Sequence, residues 1–436
     1  MQMKPLRNKT KPLDCWQKGK ELRLQFYKDV SSAKEQGKFI VSGAVETGVL
    51  PAGFKDCLFM ASEPYGASIA YDPIFAQQCV EATESRGFAR DMCSYMRNYW
   101  GSLFLDRYYF GGRFPRPDLY LSIHSCDTHA KWYQALNYFY GIPFFIIEIP
   151  PTFNTKERFQ NRVEYLAGLT YDAIEWMEKT TGKEYDDERF IQALYDEYEA
   201  ESMWSEVCMM NQTIPAPLDQ KSMWTLFVIN AILKGRKENL DFYRILRDEV
   251  KERVTEGIGA LPFENCRLLF EGQPPWFFLK LFRIIEQYGA VCVASHYGFT
   301  LSGHFTIDQD GKWDVPKPLK QRGINLKNRE DAVRFYAEEE LSKPMFDIFY
   351  SPFAKNAHIL QLAKQWHTQG VIMHLNRGCE GLAQFQLENR LMLVRENVPV
   401  VTLEGNMADW REWDEAQVID RLESFMESLG LQKLEM

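Results

Sequence analysis

The stretch DLYLSIHSCDTHAKWYQALNYFYGIPFFIIEIP, residues 118–150, predicts the fold of this chain. LYLSIH is typical of a strand, and DTHAKWYQALNYFYG has the apolar spacing of an amphipathic helix that ends at Gly141. IPFFIIEIP follows as a second, buried strand. A strand, a helix and a strand in close succession form the unit of a parallel sheet covered by helices.

The same alternation continues on both sides of this stretch. KFIVSGAV precedes it as a strand, and AVCVAS, GVIMHLN and VPVVTLEG follow much later, whereas PAGFKDCLFMAS (residues 51–62) is predicted to be helical. The intervening region is almost wholly helical, with Gly182 as a helix end and Asp186 or Asp187 as the next N-cap. We therefore predict an α/β fold of two doubly wound domains with parallel sheets plus a helical connecting segment. The predicted boundaries are a helical lead-in (1–37), an N-terminal α/β domain (38–153), a helical segment (154–260) and a C-terminal α/β domain (261–436).

Composition narrows the class of protein. A chain of 436 residues is too long for one small core, and its net charge of −9, without a basic stripe, argues against a nucleic-acid partner. The longest apolar runs fall short of the ~20 residues of a membrane helix, and the first residues lack the apolar segment of a secretion signal. Nine cysteines, an odd number, then favour reduced thiols. We expect a cytoplasmic protein that is not bound to membranes and works with protein partners.

Three cysteines occupy positions expected of metal ligands. Cys93 lies in GFARDMCSYMRNYW, and Cys126 and Cys379 each lie in a loop between a predicted strand and a predicted helix. Such a loop faces a crevice, and its backbone N–H dipoles favour a thiolate. Three thiolates would leave one iron of a four-iron cluster without a protein ligand. The alternative is that these cysteines are small buried hydrophobes, because the chain contains no CxxC.

The remaining six cysteines fit the hydrophobic interpretation better. They are Cys15, Cys57, Cys79, Cys208, Cys266 and Cys292, of which Cys57 and Cys79 are expected on apolar helix faces and Cys292 within a strand. We expect none of them to bind iron.

Several polar side chains could carry proton transfer. His124 and His129 flank Cys126, His374 precedes Cys379 by five residues, and His296 follows a predicted strand. Each could donate a proton near a metal group, although a structural histidine is the commoner case. Glu46 and Glu63 could face the crevice, but a solvated or capping role is favoured. Likewise, the basic stretch 312–329 could contact nucleotide phosphates, with a solvated loop the favoured interpretation.

Three motifs are absent from the sequence. The chain contains no GxxxxGK[ST], so it should not itself hydrolyse ATP at a phosphate loop. It contains no GxGxxG after a strand and no GxSxG, which argues against a bound nicotinamide cofactor and against an α/β-hydrolase nucleophile.

One ordered set of segments carries a family resemblance. The segments are RDMCSYMRN, PDLYLSIHSCDTHAKWYQ, TGKEYDDERF, CRLLFEGQPPW, EQYGAVCVASHYG, RGCEGLAQFQ and VPVVTLEGN. Together they resemble the benzoyl-CoA reductase/2-hydroxyacyl-CoA dehydratase family over nearly the whole length, from about residue 35 to 430. GQPPW and SCDTHAKWYQ are most similar to the larger cluster-binding subunit of ATP-dependent benzoyl-CoA reductases.

The resemblance implies an iron–sulfur oxidoreductase. Cys93, Cys126 and Cys379 would hold one [4Fe–4S] cluster, and His124, His374 and His296 are the candidate proton donors. The expected reaction is reduction of the ring of an aryl-CoA such as benzoyl-CoA to a cyclic dienoyl-CoA. The expected partners are a smaller cluster-binding subunit, two ATPase activator subunits and reduced ferredoxin, which matches the missing phosphate loop.

Two other functions remain open at this stage. The chain could be a subunit of a 2-hydroxyacyl-CoA dehydratase, which the resemblance implies would use the same cluster and activator but recycle its electron. It could also be an electron-relay or structural partner subunit. Gene context would separate the reductase from the dehydratase, because four co-transcribed genes that include two ATPase subunits indicate the reductase.

Overall fold

The computed structural model describes residues 7–150 and 159–435. The strands are β1 (Lys9–Thr10), β2 (Phe39–Gly43), β3 (Cys57–Ala61), β4 (Leu119–His124), β5 (Phe144–Glu148), β6 (Ile258–Gly259), β7 (Cys266–Glu271), β8 (Ala290–Ser295), β9 (Thr306–Ile307), β10 (Trp313–Asp314), β11 (Gly370–Asn376) and β12 (Val400–Gly405). The helices are α1 (Trp16–Ser32), α2 (Ser62–Ile69), α3 (Pro73–Glu84), α4 (Ser94–Phe104), α5 (Asp127–Tyr140), α6 (Phe159–Thr181), α7 (Asp187–Met210), α8 (Gln220–Ile232), α9 (Lys237–Glu256), α10 (Leu281–Glu286), α11 (His296–Thr300), α12 (Arg329–Ser342), α13 (Pro344–Tyr350), α14 (Pro352–Gln365), α15 (Glu380–Ala383), α16 (Gln386–Arg395) and α17 (Glu415–Ser428). Short 3-10 helices span Val45–Gly53, Trp276–Phe278 and Trp410–Glu412.

Two four-stranded parallel sheets organise these elements. The first has the order β3-β2-β4-β5 and the second the order β12-β11-β7-β8, with every pair of neighbours parallel. Helices join successive strands, as parallel pairing requires. The predicted α/β fold with parallel sheets is therefore confirmed. No helix in the described ranges is both long enough and apolar enough to span a bilayer.

The two faces of the first sheet pack against two different apolar cores. On β4, Leu119, Leu121 and Ile123 pack with the helical segment, whereas Tyr120 packs into the larger core that also contains the second sheet. On β2, Val41 packs with the helical segment, whereas its neighbour Ile40 packs into the larger core. Because successive side chains of a strand point to opposite faces, a sheet buried on both sides has apolar residues at nearly every position.

Four long helices, α6 to α9, connect the two sheets along the chain. α6 packs on β5 and α12, and α7 packs on α9 and on the 3-10 helix Val45–Gly53. Gly182 has a φ of +65°, and the Asp186 carboxylate accepts N–H bonds at the start of α7, so the predicted helix boundary is confirmed. The domain boundaries given above stay predictions, and the one at residues 153/154 lies outside the described residues.

One predicted element is wrong. Residues 51–62 are not a helix, because the chain leaves the 3-10 helix at Gly53 and then forms strand β3, which pairs with β2 from Phe39 opposite Cys57 onward. A short apolar run such as CLFMA fits a buried strand as well as a helix, and here tertiary pairing decides. Cys57 therefore lies on a strand.

Candidate functional site

The carboxyl ends of the two sheets meet at one cavity of about 830 Å³. Glu46, Glu63 and Cys126 line it from the loops and helix starts that follow β2, β3 and β4. Gln273 and Cys379 line it from the segments after β7 and β11. Ligands of open α/β sheets bind outside the carboxyl ends of the strands, so this position is the expected one for a functional site.

The three predicted cysteines all line this cavity. Cys93, Cys126 and Cys379 are the N-cap residues of α4, α5 and α15. Each sulfur lies beside backbone N–H groups of the turn that follows. Three thiols from three separate segments therefore face one space, each supported by N–H donors that stabilise negative charge.

Burial controls the charge of these thiols. It raises the pKa of Cys93 to about 12 and holds the pKa of Cys126 and Cys379 above the ordinary value. The three sulfurs also interact electrostatically: Cys379 raises the pKa of Cys93, and both raise that of Cys126. Without a cation the thiols are neutral, and a bound metal group would take the place of their protons.

A glycine brings two of the cysteine loops together. Gly378 has a φ of +77°, and a Cβ built there would lie 2.7 Å from the Asp91 carbonyl oxygen. A larger residue would therefore separate the Cys379 loop from the segment that precedes Cys93. This contact joins the two sheets at the site.

The chemistry of the three thiol donors fits an iron–sulfur cluster. Within residues 7–150 and 159–435, no three His, Cys, Asp or Glu side chains converge on one point that could hold a single metal ion. Three separated thiols around a cavity suit a group whose metal atoms lie at different corners, and thiolates are the ligands that iron–sulfur clusters use. Cys93, Cys126 and Cys379 could therefore hold such a group.

The other six cysteines lie elsewhere. None of them lines the cavity, and five are buried, with Cys57 partly so. Cys208 lies in α7 and Cys292 in β8, both within the apolar core.

A chain of titratable side chains lies beside Cys126 on the cavity wall. The Nε2 of His129 lies 2.6 Å from Glu63 Oε1, and its Nδ1 lies 2.5 Å from Ser125 Oγ. Burial disfavours the charged ring, yet the Glu63 charge and hydrogen bond, with Glu46, raise the pKa of His129 above its ordinary value. The ring thus lies between a carboxylate and a hydroxyl, and the carboxylate favours its protonated form.

Glu46 completes this acid–base cluster. Burial, and then the charge of Glu63, raise the pKa of Glu46, which favours its protonated form. Its Oε2 and the Oε2 of Glu63 are buried without a hydrogen-bond partner in the structure. The cluster therefore combines a neutral acid with a His–carboxylate pair, the kind of contrast that marks acid and base roles.

The three predicted catalytic histidines do not line the cavity. The His124 ring contacts Glu148 Oε2 at 2.7 Å and Asp127 Oδ1 at 3.4 Å. His374 and His296 are buried, and burial lowers the pKa of His374 to about 4 and that of His296 well below its usual value. Their catalytic roles stay predictions.

The sequence alone did not indicate that Glu46, Glu63 and His129 line one cavity. Glu63 was expected after a helix, whereas it lies in the first turn of α2, directly after β3. His129 was considered only as a neighbour of Cys126. The available signal was position: both residues follow the carboxyl end of a strand and lie in the first turn of a helix.

Aromatic side chains form much of the inner wall. They are Tyr95, Trp132, Trp224, Phe227, Trp276 and Tyr297. The Trp276 indole N–H donates to Tyr95 Oη, which fixes two of these rings. This wall is apolar and rigid, and it can exclude water from a bound ligand.

The cavity lining also includes polar and partly exposed side chains, among them the carboxylates of Asp219 and Glu286. Trp16 and Tyr71 are 41% and 47% exposed there, and Arg23, Lys221 and Arg283 supply positive charge. The basic stretch 312–329, in contrast, does not line the cavity, and its Arg322 and Arg329 pair with carboxylates of Glu339, Glu178 and Asp187. This placement agrees with the favoured interpretation, in which the stretch does not contact a ligand.

The chain also matches a known protein family. Residues 73–429 match the family described as 2-hydroxyglutaryl-CoA dehydratase, D-component, and the chain belongs to this family. The resemblance found in the sequence is thereby confirmed.

Three relatives show how the family divides. The chain is 26% identical to the (R)-phenyllactyl-CoA dehydratase alpha subunit of Clostridium sporogenes over 363 residues, which cover 82% of this chain and 81% of that protein. It is 23% identical to the (R)-2-hydroxyisocaproyl-CoA dehydratase alpha subunit of Clostridioides difficile (95% of each chain). It is 24% identical to a benzoyl-CoA reductase subunit of Thauera aromatica (94% of this chain, 93% of that protein). The relatives are enzyme subunits of two reaction types, so membership alone does not choose between dehydration and reduction.

Proposed function

We propose that this chain is the iron–sulfur subunit of an enzyme that removes water from a 2-hydroxyacyl-CoA. The observation that carries this proposal is the Glu46–Glu63–His129 cluster on the same cavity wall as the three cysteines. Loss of water takes one proton from carbon and gives one to the departing hydroxyl, so it needs both a base and an acid. Dehydratase alpha subunits among the relatives support the same reaction.

We assign the cofactor to the three cysteines that line the cavity. Cys93, Cys126 and Cys379 would bind one [4Fe–4S] cluster, which supplies single-electron chemistry and an iron site without a protein ligand. The adjacent helix-start N–H groups would stabilise the thiolates. Cys208 and Cys292, buried in the core, serve as matched controls for substitution.

Within the chain, we assign proton transfer to the acid–base cluster. Glu46, whose raised pKa favours the protonated form, would donate a proton to the leaving hydroxyl, and the Glu63 carboxylate, paired with His129, would accept the proton from carbon and return it to Glu46. Ser125, bonded to Nδ1, would fix the orientation of the ring. The aromatic wall would exclude water, which otherwise quenches reactive intermediates.

The basic side chains of the cavity lining suit the nucleotide part of coenzyme A. Arg23, Lys221 and Arg283 can meet its phosphates, and Trp16 or Tyr71 can stack on its adenine. The acyl group would then reach inward to the cysteines and the acid–base cluster. The cavity lining thus combines basic side chains with an aromatic wall, and a CoA thioester could contact both.

Reduction of an aryl-CoA is the second candidate function. The aromatic inner wall favours it, because stacked rings form a suitable surface for a flat apolar acyl group. The benzoyl-CoA reductase relative, similar over 94% of this chain, supports it as well. In this case the same cluster of acids would supply protons to the ring.

For either reaction we propose that the chain works in a complex. The partners would be a second, smaller cluster-binding subunit and two ATPase activator subunits fed by reduced ferredoxin. The missing phosphate loop supports an external ATPase. Both dehydratase relatives are named as alpha subunits, which implies further subunits in those proteins.

Product and electron counts test the function. The complex is co-purified without oxygen and supplied with ATP, a low-potential reductant and either 2-hydroxyacyl-CoA or benzoyl-CoA. Dehydration is redox-neutral, so we expect enoyl-CoA in large excess over electrons consumed. A cyclic dienoyl-CoA formed with two electrons per product would replace the dehydratase proposal by the reductase.

Substitution of the cysteines tests the cofactor site. Alanine at Cys93, Cys126 or Cys379 should remove most of the iron and acid-labile sulfide, because each contributes a ligand. Cys208→Ala and Cys292→Ala should keep both. Wild-type iron content and an unchanged absorption spectrum in Cys379→Ala would refute the assignment.

A further inference from the structure

The Cys379 sulfur accepts a hydrogen bond from a side chain that plays no part in the proposed reaction. Gln273 Nε2 lies 3.0 Å from Cys379 Sγ, although the two residues are 106 positions apart. Gln273 is 5% exposed and lies just beyond the carboxyl end of β7. Buried side-chain amides commonly hydrogen-bond to backbone groups or to other amides. An amide N–H that donates to a cysteine sulfur is therefore an unusual arrangement.

A chain of hydrogen bonds fixes which end of the Gln273 amide faces the sulfur. The Met407 backbone N–H donates to Asn376 Oδ1 (3.1 Å), so the Asn376 amide must present its NH₂ on the other side. That NH₂ donates to Gln273 Oε1, also at 3.1 Å. Since a backbone N–H can only donate, the direction of the whole chain is determined, and Gln273 must point its NH₂ at Cys379.

The backbone of Gln273 is held as firmly as its side chain. His374 Nδ1 lies 2.6 Å from the Gln273 carbonyl oxygen, to which it donates. Gly272 has a φ of +90°, and a Cβ there would lie 2.9 Å from the His374 carbonyl oxygen. The tight turn between β7 and Gln273 therefore requires glycine, and His374 serves to position this turn.

The Cys379 loop is anchored from its other side by a buried cation. Lys355 Nζ donates to the carbonyl oxygens of Leu382 (2.6 Å) and Gln384 (2.9 Å) and pairs with Glu271 Oε1 at 3.2 Å. Lys355 is fully buried. Because helix α15 is held in place by these bonds, the sulfur cannot move away from the Gln273 donor.

We propose that Gln273 is a positioning residue that raises the reduction potential of the cluster held by Cys379. The reduced cluster carries one more negative charge, and an N–H directed at a ligand sulfur stabilises that charge more than it stabilises the oxidised form. The inference rests on the proposed cysteine ligands. It adds that the second sheet sets how readily the cluster accepts an electron.

The test compares cluster potentials in variants of the whole complex. Gln273→Met keeps the side-chain length and removes the donor, whereas Gln273→Asn keeps an amide that can bond to Asn376 but withdraws it from the sulfur. Gln365→Met is the matched control, because Gln365 bonds only to the backbone of Trp313, outside the cavity. Iron and sulfide contents are measured first, and the midpoint potential is then followed by anaerobic redox titration with electron paramagnetic resonance.

Both Gln273 variants should keep wild-type iron and show a more negative midpoint potential, with the control unchanged. A wild-type midpoint in either cluster-replete Gln273 variant would overturn the inference and leave the cysteine assignment intact. Failure of the cysteine assignment gives a different result, namely full iron content in Cys379→Ala.

Discussion

Replacement of Glu46 by glutamine is the most direct test of proton transfer at this site. Burial and the Glu63 charge raise the pKa of Glu46 and so favour its protonated form, whose shape and charge the amide reproduces. What the variant loses is the transferable proton. The folded structure, the cluster and substrate affinity should therefore stay close to wild type, and the loss should fall on kcat.

The size of the effect follows from the role assigned to Glu46. A positioned general acid contributes about 10²–10⁴ in rate, which corresponds to about 3–5 kcal/mol in the activation free energy at 1.36 kcal/mol per tenfold. A structural role would act instead on the free energy of unfolding. Its buried Oε2 has no hydrogen-bond partner in the structure that an amide would break, so little change in stability is expected.

The assay is anaerobic steady-state kinetics of the complex with its acyl-CoA substrate, after iron content has been matched. Glu164→Gln serves as control, because Glu164 is half-exposed and pairs with Arg334 at the surface. His124→Gln is measured in the same series, since the predicted role of His124 would reduce kcat as well. Wild-type kcat in a cluster-replete Glu46→Gln complex would refute the proton-donor assignment.

Two further predictions concern other charged groups of the chain. Burial, and then the charge of Asp219, raise the pKa of Glu286 to about 7, so this carboxyl gains negative charge beside Lys221 and Arg283 as the pH rises through that value. The KM for a CoA thioester should therefore increase between about pH 6 and 8 in the wild type and less so in Glu286→Gln; parallel KM profiles would contradict this. Lys234→Met should lower the free energy of unfolding by about 3–5 kcal/mol, because it leaves Glu197 buried without a cation and leaves Glu201 with Lys343 alone. Denaturant titration against Lys34→Met, which breaks the exposed pair with Asp118 worth about 0–1 kcal/mol, checks it; equal losses would count against it.

Local patterns in the sequence predicted the parallel sheets and the three cysteines at one site. Residues 118–150 contain a complete strand–helix–strand unit, and Gly141, with a φ of +66°, ends the helix where predicted. Cys126 and Cys379 follow strands of different sheets, and the cavity brings them together. Because the carboxyl ends of parallel strands face one side, a residue just after such a strand can be placed at the site from sequence.

Strand register and contacts between distant segments decide which histidine reaches the cavity, and neither can be read from the sequence. His124 was favoured for its closeness to Cys126, but it is the last residue of β4 and lies opposite Glu148 of β5, whose carboxylate its ring contacts. His129 belongs to the first turn of α5, the same turn whose N–H groups surround the Cys126 sulfur. Closeness in sequence was therefore a weaker guide than the element on which each histidine lies.

The two sheets contribute different chemistry to the one cavity. The first carries Cys126 and also Glu46, Glu63 and His129, to which we assign proton transfer, whereas the second carries Cys379 and the Gln273 donor on its sulfur. The proposed reaction moves both protons and electrons, so it needs these groups within reach of one substrate, and neither sheet alone carries all three cysteines. The contact of Gly378 with the segment before Cys93 holds the two contributions together. Residues that lie far apart along the chain reach one cavity because the two sheets meet at their carboxyl ends.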